Sequence, residues 1–184
     1  MEAALRLYTD CEPASITVAD IAAEAQMTAA AVYYHYATKE DILLDGLSAF
    51  ADALSGYVTS LLADEAASPA DLPVRLLDWL GQRRHAATVW FTYNGNLGMA
   101  VEARRRITNE FLVAEILRSV RTHRPDYSLP HASVVAVGLH SAVEISASAW
   151  LVPDDVLVSG REDDFRREVA ALGAKVLSAP APVH

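Results

Sequence analysis

Leu43, Leu47, Phe50, Leu54, Tyr57 and Leu61 recur at alternating spacings of four and three residues. That period turns six apolar side chains into one continuous stripe on a helix about twenty residues long. The stretch opens on Thr38-Lys39-Glu40-Asp41, a hydroxyl cap followed by early carboxylates that suit the positive end of a helix. A helix so long and so one-sided must pack against other elements on both halves of the molecule, which commits the chain to a bundle.

The helical period continues elsewhere. Ala4, Leu5 and Tyr8 share a face between Met1 and about Asp10, and Val18, Ile21, Ala22 and Ala25 recur behind a Thr17 cap with Asp20 three residues on. Thr28 is placed to cap a short helix from Ala29 to Tyr34. Past a loop at Ala67-Ser68-Pro69, residues 70–85 carry Leu72, Leu76, Trp79 and Leu80 on one face, and residues 86–97 form a shorter apolar helix that Gly95 weakens or ends. Residues 100–122 read as amphipathic with Ile107, Phe111, Ala114, Leu117 and Val120 inward, and Pro125 and Pro130 bracket a loop. Residues 131–151 are apolar on nearly all sides, as a buried or interface helix is. After a loop over 152–160, Phe165, Val169, Leu172 and Val176 stay in register through 162–177, and 179–184 read as a disordered tail. No strand-like alternation of useful length occurs, so the expected fold is all-α with nine helices.

Composition narrows the function classes. The net charge of −9 gives no general attraction to nucleic acid or to an anionic membrane surface, so any DNA binding must come from a local motif. No uncharged run of about 18 apolar residues predicts a membrane span, and the start has no signal-peptide pattern. The single Cys11 excludes an internal disulfide, and no Cys/His spacing predicts a metal site or cofactor. The expectation is a soluble, cytoplasmic chain. There is no glycine-rich phosphate loop and no nucleophile motif; Cys11 stands between Asp10 and Glu12, which discourages thiolate formation. The chain does not read as an enzyme.

Two short helices joined by a tight turn, the second opening on Thr28, form a helix-turn-helix pattern. Residues 16–43, ITVADIAAEAQMTAAAVYYHYATKEDIL, resemble the N-terminal head of the TetR/AcrR family of transcriptional regulators. AALRLY, TVADIA, VYYHY and TKEDIL carry the resemblance together. It implies a nine-helix TetR-type architecture, with a DNA-binding head over 1–46 and an effector-binding and dimerisation body over 47–178. Thr17 matches a phosphate-contacting position, where a hydroxyl and a helix N-terminus suit an anion. Thr28, Ala29, Ala30 and Ala31 match the groove-facing start of the recognition helix. Tyr33, Tyr34 and His35 match an aromatic-aromatic-His run that meets phosphates and sugars, and Lys39 matches a further phosphate contact. Val18, Ile21, Val32 and Tyr36 match core positions. The implied function is a ligand-responsive regulator, mostly a repressor in this family, that binds double-stranded palindromic DNA as a homodimer.

Three features depart from that pattern. Ala29, Ala30 and Ala31 offer methyl groups and no side-chain hydrogen bonds to bases, so selectivity would come largely from DNA shape. Residues 1–46 hold two cations, Arg6 and Lys39, against eight Asp and Glu, a formal charge of −6, and so predict weak phosphate binding. Gln26 stands where the family commonly has a turn glycine; a left-handed backbone there would cost on the order of 1 kcal/mol. The sequence also starts inside what the family makes its first helix, which predicts a natural start about 10–15 residues earlier with a basic arm for phosphate. The rival reading is a dimeric helical module for ligand or protein whose head no longer grips DNA tightly.

For the body, the resemblance implies a four-helix dimer interface built from the last two helices. Val135, Leu139, Val143, Phe165, Val169, Leu172 and Val176 are the residues expected there. A pocket for a small hydrophobic or aromatic effector is expected from Trp79, Trp90, Tyr93 and Met99, with Asn94, His140 and Glu144 as polar groups. His140 and Glu144 lie four apart on one apolar helix. A dimer-spanning hydrogen-bond pair, pocket groups, or a metal site with His85 or His131 all remain open for them. Arg104-Arg105-Arg106, Arg118, Arg121 and Arg124, with Glu102, Glu110 and Glu115 nearby, read as a solvated salt-bridged face.

Overall fold

The computed structural model of the chain describes residues 1–64, 66–93, 97–152 and 162–180. Among them are nine α-helices: α1 (Glu2–Asp10), α2 (Val18–Glu24), α3 (Ala29–His35), α4 (Lys39–Ala63), α5 (Leu72–Gly81), α6 (Arg84–Thr92), α7 (Met99–His123), α8 (Leu129–Leu151) and α9 (Glu162–Leu177). Short 3-10 turns at Pro13–Ser15 and Pro69–Asp71 precede α2 and α5. The segment read as one helix over 70–85 is therefore a turn followed by α5. The expected loop over 152–160, apart from Val152, lies outside the described residues, as do Gly95 and the last four residues of the expected tail.

Local chemistry sets the starts of four of these helices. Thr17 Oγ1 accepts the Asp20 N–H at 3.2 Å while Asp20 accepts the Thr17 N–H at 2.8 Å. Thr38 and Asp41 repeat the arrangement at 3.1 and 2.9 Å. Thr28 and Ser128 cap α3 and α8 through the N–H groups of Ala31 and His131. Each cap satisfies a donor the helix cannot, which is worth about 1 kcal/mol. Between α2 and α3, Gln26 sits at φ +56°, the left-handed conformation that its place in the turn demands.

α4 is the spine. It packs on α1, α6 and α7. Leu43, Leu47, Phe50 and Leu54 are buried as the periodicity requires, but Tyr57 and Leu61 are half-buried, and Val58 and Leu62 take the inner places. A strict 3.5-residue pattern drifts about 20° per heptad on a 3.6-residue helix, so the inward face passes to the next residue along. Phe50 centres an aromatic cluster, with ring centroids 5.5 Å from Trp79, 5.7 Å from Trp90 and 6.4 Å from Phe91. One core of buried side chains continues from Ala4 in α1 to Leu151 in α8.

α7 does not follow its largest apolar residues. Val101, Thr108, Leu112, Ile116, Ser119 and Val120 are buried, whereas Ile107, Phe111 and Ala114 are exposed. The helix packs on both α4 and α8. The arginine run also departs from a solvated face. Arg104 pairs with Asp52, and the Arg105 guanidinium turns inward to donate to the backbone carbonyls of Val89 (2.8 Å) and Tyr93 (3.2 Å) at the end of α6. Arg118–Glu115 and Arg124–Asp126 are surface pairs as expected.

α8 is long and apolar enough by length and composition to cross a membrane. In the fold it packs on α5, α6, α7 and α9. Val135, Leu139 and Val143, expected at a dimer interface, are buried inside the chain itself, Leu139 completely. The apolar residues that α8 leaves in the open are one helical step away, with Val134 71% and Ile145 69% exposed and Val137 beside them. Periodicity could not choose between these faces because the helix is apolar on both. On α9, Val169 is buried, Phe165 and Val176 are half-buried and Leu172 is exposed. α9 approaches the Pro69–Asp71 turn so closely that a Cβ on Gly173 would stand 2.1 Å from the carbonyl oxygen of Ala70. Its C-terminal end is tied down by the Tyr127 hydroxyl, which donates to Leu177 O at 2.7 Å. His131 Nε2 lies 3.0 Å from Ala179 O, which holds the first residue of the expected tail.

Candidate nucleic-acid interface

α3 packs on α2. Val32 points into the core, Ala29 packs against it and Ala31 is half-buried. The exposed face is therefore Ala30, Tyr33 and Tyr34, three positions that share one side of a helix. Of the three alanines expected to face bases, Ala30 alone is fully exposed. Tyr33 is 57% and Tyr34 84% exposed, far from the burial that core packing would give an aromatic ring. The Tyr34 ring meets the exposed His35 edge-on at 5.0 Å. Tyr36 is half-buried at the end of α3, and its hydroxyl donates to Asp45 at 2.6 Å; that bond and burial raise its pKa.

The polar groups assigned to phosphate are differently committed. Thr28 is exposed, with Oγ1 accepting the Ala31 N–H at 3.2 Å. Thr17 is exposed, but its hydroxyl donates to Asp20 at 2.6 Å and its N–H goes to the same carboxylate. Those bonds hold the Asp20 carboxyl below its usual range, so a negative group already occupies the N-terminus of α2. Lys39 is half-buried, and Nζ donates to the carbonyls of Pro13 and Ile16 at 2.8 Å each. It clamps the 3-10 turn to α4 with two of its three protons. Arg6, the other cation, pairs with Glu24 at 2.7 Å. Sequence reasoning missed both commitments because the partners are 26 and 18 residues away.

Among the described residues, those expected around an effector lie in separate places. Trp79 and Trp90 are buried in the Phe50 cluster, with Tyr57 stacked on Trp79 at 5.3 Å. Met99 is 90% exposed. Tyr93 is half-buried and borders a cleft of about 380 Å³ between head and body, together with Tyr8, Lys39, Leu43 and Leu97. Asn94 lies outside the described residues. His140 and Glu144 do face each other, with Nε2 and Oε1 3.7 Å apart. Burial raises the Glu144 carboxyl from 4.5 to about 7, with the Arg105 charge opposing, and burial lowers the His140 pKa.

Residues 1–45 match the bacterial regulatory proteins of the tetR family. Over its full length the chain is similar in structure to the fatty acid degradation regulator FadR from Bacillus halodurans, with a TM-score of 0.68 over 98% of this chain and 97% of that one. At 14% identity this likeness is one of fold. No curated protein matches the chain in sequence. The likeness to the tetR family rests on residues 1–45, and the all-α architecture over the described residues is similar to that of the FadR regulator.

Proposed function

We propose that the chain is a homodimeric regulator that binds a palindromic operator and is released by a small-molecule effector, with repression as the simplest outcome. The division of labour is a head over 1–46 and a body over 47–178. The observation that carries the reading is the Ala30–Tyr33–Tyr34 face, two large aromatics held in solvent on a capped helix of a tetR-type head. Tyrosine hydroxyls there suit phosphates and sugars, which position a helix in the major groove, while Ala30 offers a methyl group to thymine. Thr28, an exposed hydroxyl, and His35 supply further donors.

The dimer contact in this proposal is the exposed stripe of Val134, Val137 and Ile145 on α8, joined by Leu172 on α9. Its symmetric burial would set two recognition helices about one DNA turn apart. Effector release has a mechanical route: α4 packs on α7 and α1 on α6, and α1 in turn packs on α2, which carries α3, so a shift of the body helices can reach α3 through α1 and α2.

A second reading rests on the electrostatics: with a head of −6, Arg6 paired with Glu24 at the surface and Lys39 bound to backbone carbonyls, a helical ligand- or protein-binding module without tight DNA binding is a specific rival. The test is binding to DNA from just upstream of the chain's own gene, at low and physiological salt. The regulator reading expects saturable binding that Tyr34→Ala and Tyr33→Phe weaken. Four cations per dimer limit the salt slope to about −3.6 in log K against log[salt]. Absence of binding at low salt would establish the rival.

A further inference from the structure

A recognition helix meets base edges with its N-terminal turn. In α3 that turn is Thr28-Ala29-Ala30-Ala31, and the fold withholds half of it: Ala29 packs against the core and Ala31 is half-buried. What stays in solvent is the Ala30 methyl group and the Thr28 side chain. Thr28 Oγ1 already accepts the Ala31 N–H at 3.2 Å, and a hydroxyl pairs with donor and acceptor base edges alike. Met27, 48% exposed just before the cap, adds apolar surface, and its N–H is tied to Ala22 O at 2.8 Å. From Met27 to Tyr34 the chain has no Asn, Gln, Asp, Glu, Lys or Arg, the side chains that read guanine, adenine or cytosine by hydrogen bonds. The two cations of the head are committed elsewhere, Arg6 to Glu24 and Lys39 to the carbonyls of Pro13 and Ile16.

We propose that the head reads C5-methyl groups in the major groove rather than base pairs, so that 5-methylcytosine can stand where thymine stands. This rests on the regulator reading above and names what such a regulator recognises. Thymine alone among the four standard bases carries a methyl group on its major-groove edge, and an apolar surface such as Ala30 gains by covering it. Cytosine methylated at C5 presents the same group at the same ring position, while its hydrogen-bonding edge stays that of cytosine. A reader of hydrogen bonds separates thymine from 5-methylcytosine; a methyl packed on a methyl does not. The consequence is regulatory: methylating a cytosine at the read position turns a poor half-site into a good one.

Gln26 is the rival reader. It is exposed in the turn before α3 at φ +56°, and its amide is of the kind that pairs with adenine through N6 and N7. That contact ignores the methyl group on the opposite base, so replacing thymine by uracil separates the two readings. One buried methyl is worth about 0.8 kcal/mol, roughly fourfold in affinity, and a palindrome presents it twice, so both half-sites together give about fifteenfold.

The test selects a duplex from a random library with the full chain at low salt, then replaces each fixed thymine of its half-sites in turn by uracil, and each thymine–adenine pair by 5-methylcytosine–guanine or cytosine–guanine. Affinities are read by fluorescence anisotropy. At the read position, uracil in both half-sites should weaken binding about fifteenfold, cytosine at least as much, and 5-methylcytosine should hold it within about twofold of thymine. Ala30→Gly should erase the difference between thymine and uracil, and Gln26→Ala should leave it, with thermal melts confirming that both variants fold. The substituted duplexes decide even if a variant fails to fold. Uracil without effect at every thymine, or an enriched half-site with no fixed thymine, would overturn the proposal. So would 5-methylcytosine binding as weakly as cytosine, which is the mark of hydrogen-bond readout, or an Ala30→Gly protein that still tells thymine from uracil. Saturable binding that fails these base tests leaves the regulator reading intact; no saturable binding to any duplex refutes that reading and this one with it.

Discussion

Gly173→Ala should destabilise the protein although alanine is the better helix former. Gly173 is buried in the interior of α9, where replacing glycine by alanine gains about 1 kcal/mol of helix propensity. The structure opposes that gain. A Cβ built there falls 2.1 Å from Ala70 O and 3.1 Å from Ala70 C, both backbone atoms of the Pro69–Asp71 turn. Relieving the overlap takes a shift of about 1 Å, and no flexible side chain can yield it because the obstacle is main chain. Nor can α9 slide freely over α8, where a Cβ at Gly138 would already lie 3.0 Å from Val176. Forced overpacking costs about 1–3 kcal/mol or more, and a main-chain overlap this short belongs at the upper end, about 2–3 kcal/mol, which leaves a net loss of about 1–2 kcal/mol. For a chain of this size, each kcal/mol moves Tm by roughly 2–4 °C, so the variant should melt about 2–8 °C lower. Gly56→Ala is the matched control. It too lies inside a helix, but a Cβ there meets nothing within 4 Å, and it should raise Tm by about 2–4 °C. Calorimetric melts of both variants at one fixed protein concentration, to hold any association constant, decide the matter. If Gly173→Ala raises Tm as Gly56→Ala does, the close approach of α9 to the turn is refuted.

Gln26→Gly should stabilise the head by about 0.5–1 kcal/mol in urea unfolding, because relief of the left-handed strain at φ +56° exceeds the flexibility glycine adds to the unfolded chain. Leu139→Ala should cost about 2–5 kcal/mol through a core cavity, while Ile145→Lys should leave the melt of a dilute monomer nearly unchanged and shift sedimentation toward the monomer; the reverse pattern would place the interface on the other face of α8. Glu144 has a folded pKa raised above its ordinary value of 4.5, so the folded state holds its proton longer than the unfolded state. Its contribution to stability is fully present below about 4.5 and is lost as pH rises through about 7. Stability of the Glu144→Gln variant should accordingly fall less than that of the unsubstituted protein between pH 5 and 8, measured by urea unfolding.

What could be read from the chain was what depends on near neighbours in sequence. The Thr17–Asp20 and Thr38–Asp41 pairs close hydrogen bonds across three residues, so cap and helix start are encoded together, and the seam from Leu43 to Leu54 states its own inward face. The helix-turn-helix head, its resemblance to tetR-type regulators and the strained place of Gln26 followed from the same short-range order. Where the apolar pattern is ambiguous, only tertiary structure decided. α8 is apolar on two faces, and the position of α5, α6, α7 and α9 around it determined that Leu139 is core and Ile145 is surface. α7 turned Val101, Leu112, Ile116 and Val120 inward, with Thr108 and Ser119 among them, because α4 and α8 pack against that face, leaving Ile107 and Phe111 in solvent. The committed cations tell the same story: Lys39 and Arg105 look like free surface charge in sequence, yet Lys39 holds carbonyls of the Pro13 turn and Arg105 those at the end of α6. A carbonyl that lacks a helical partner is created by the way the chain ends one element and begins another, and a residue far along the sequence finds it only after folding brings the two together.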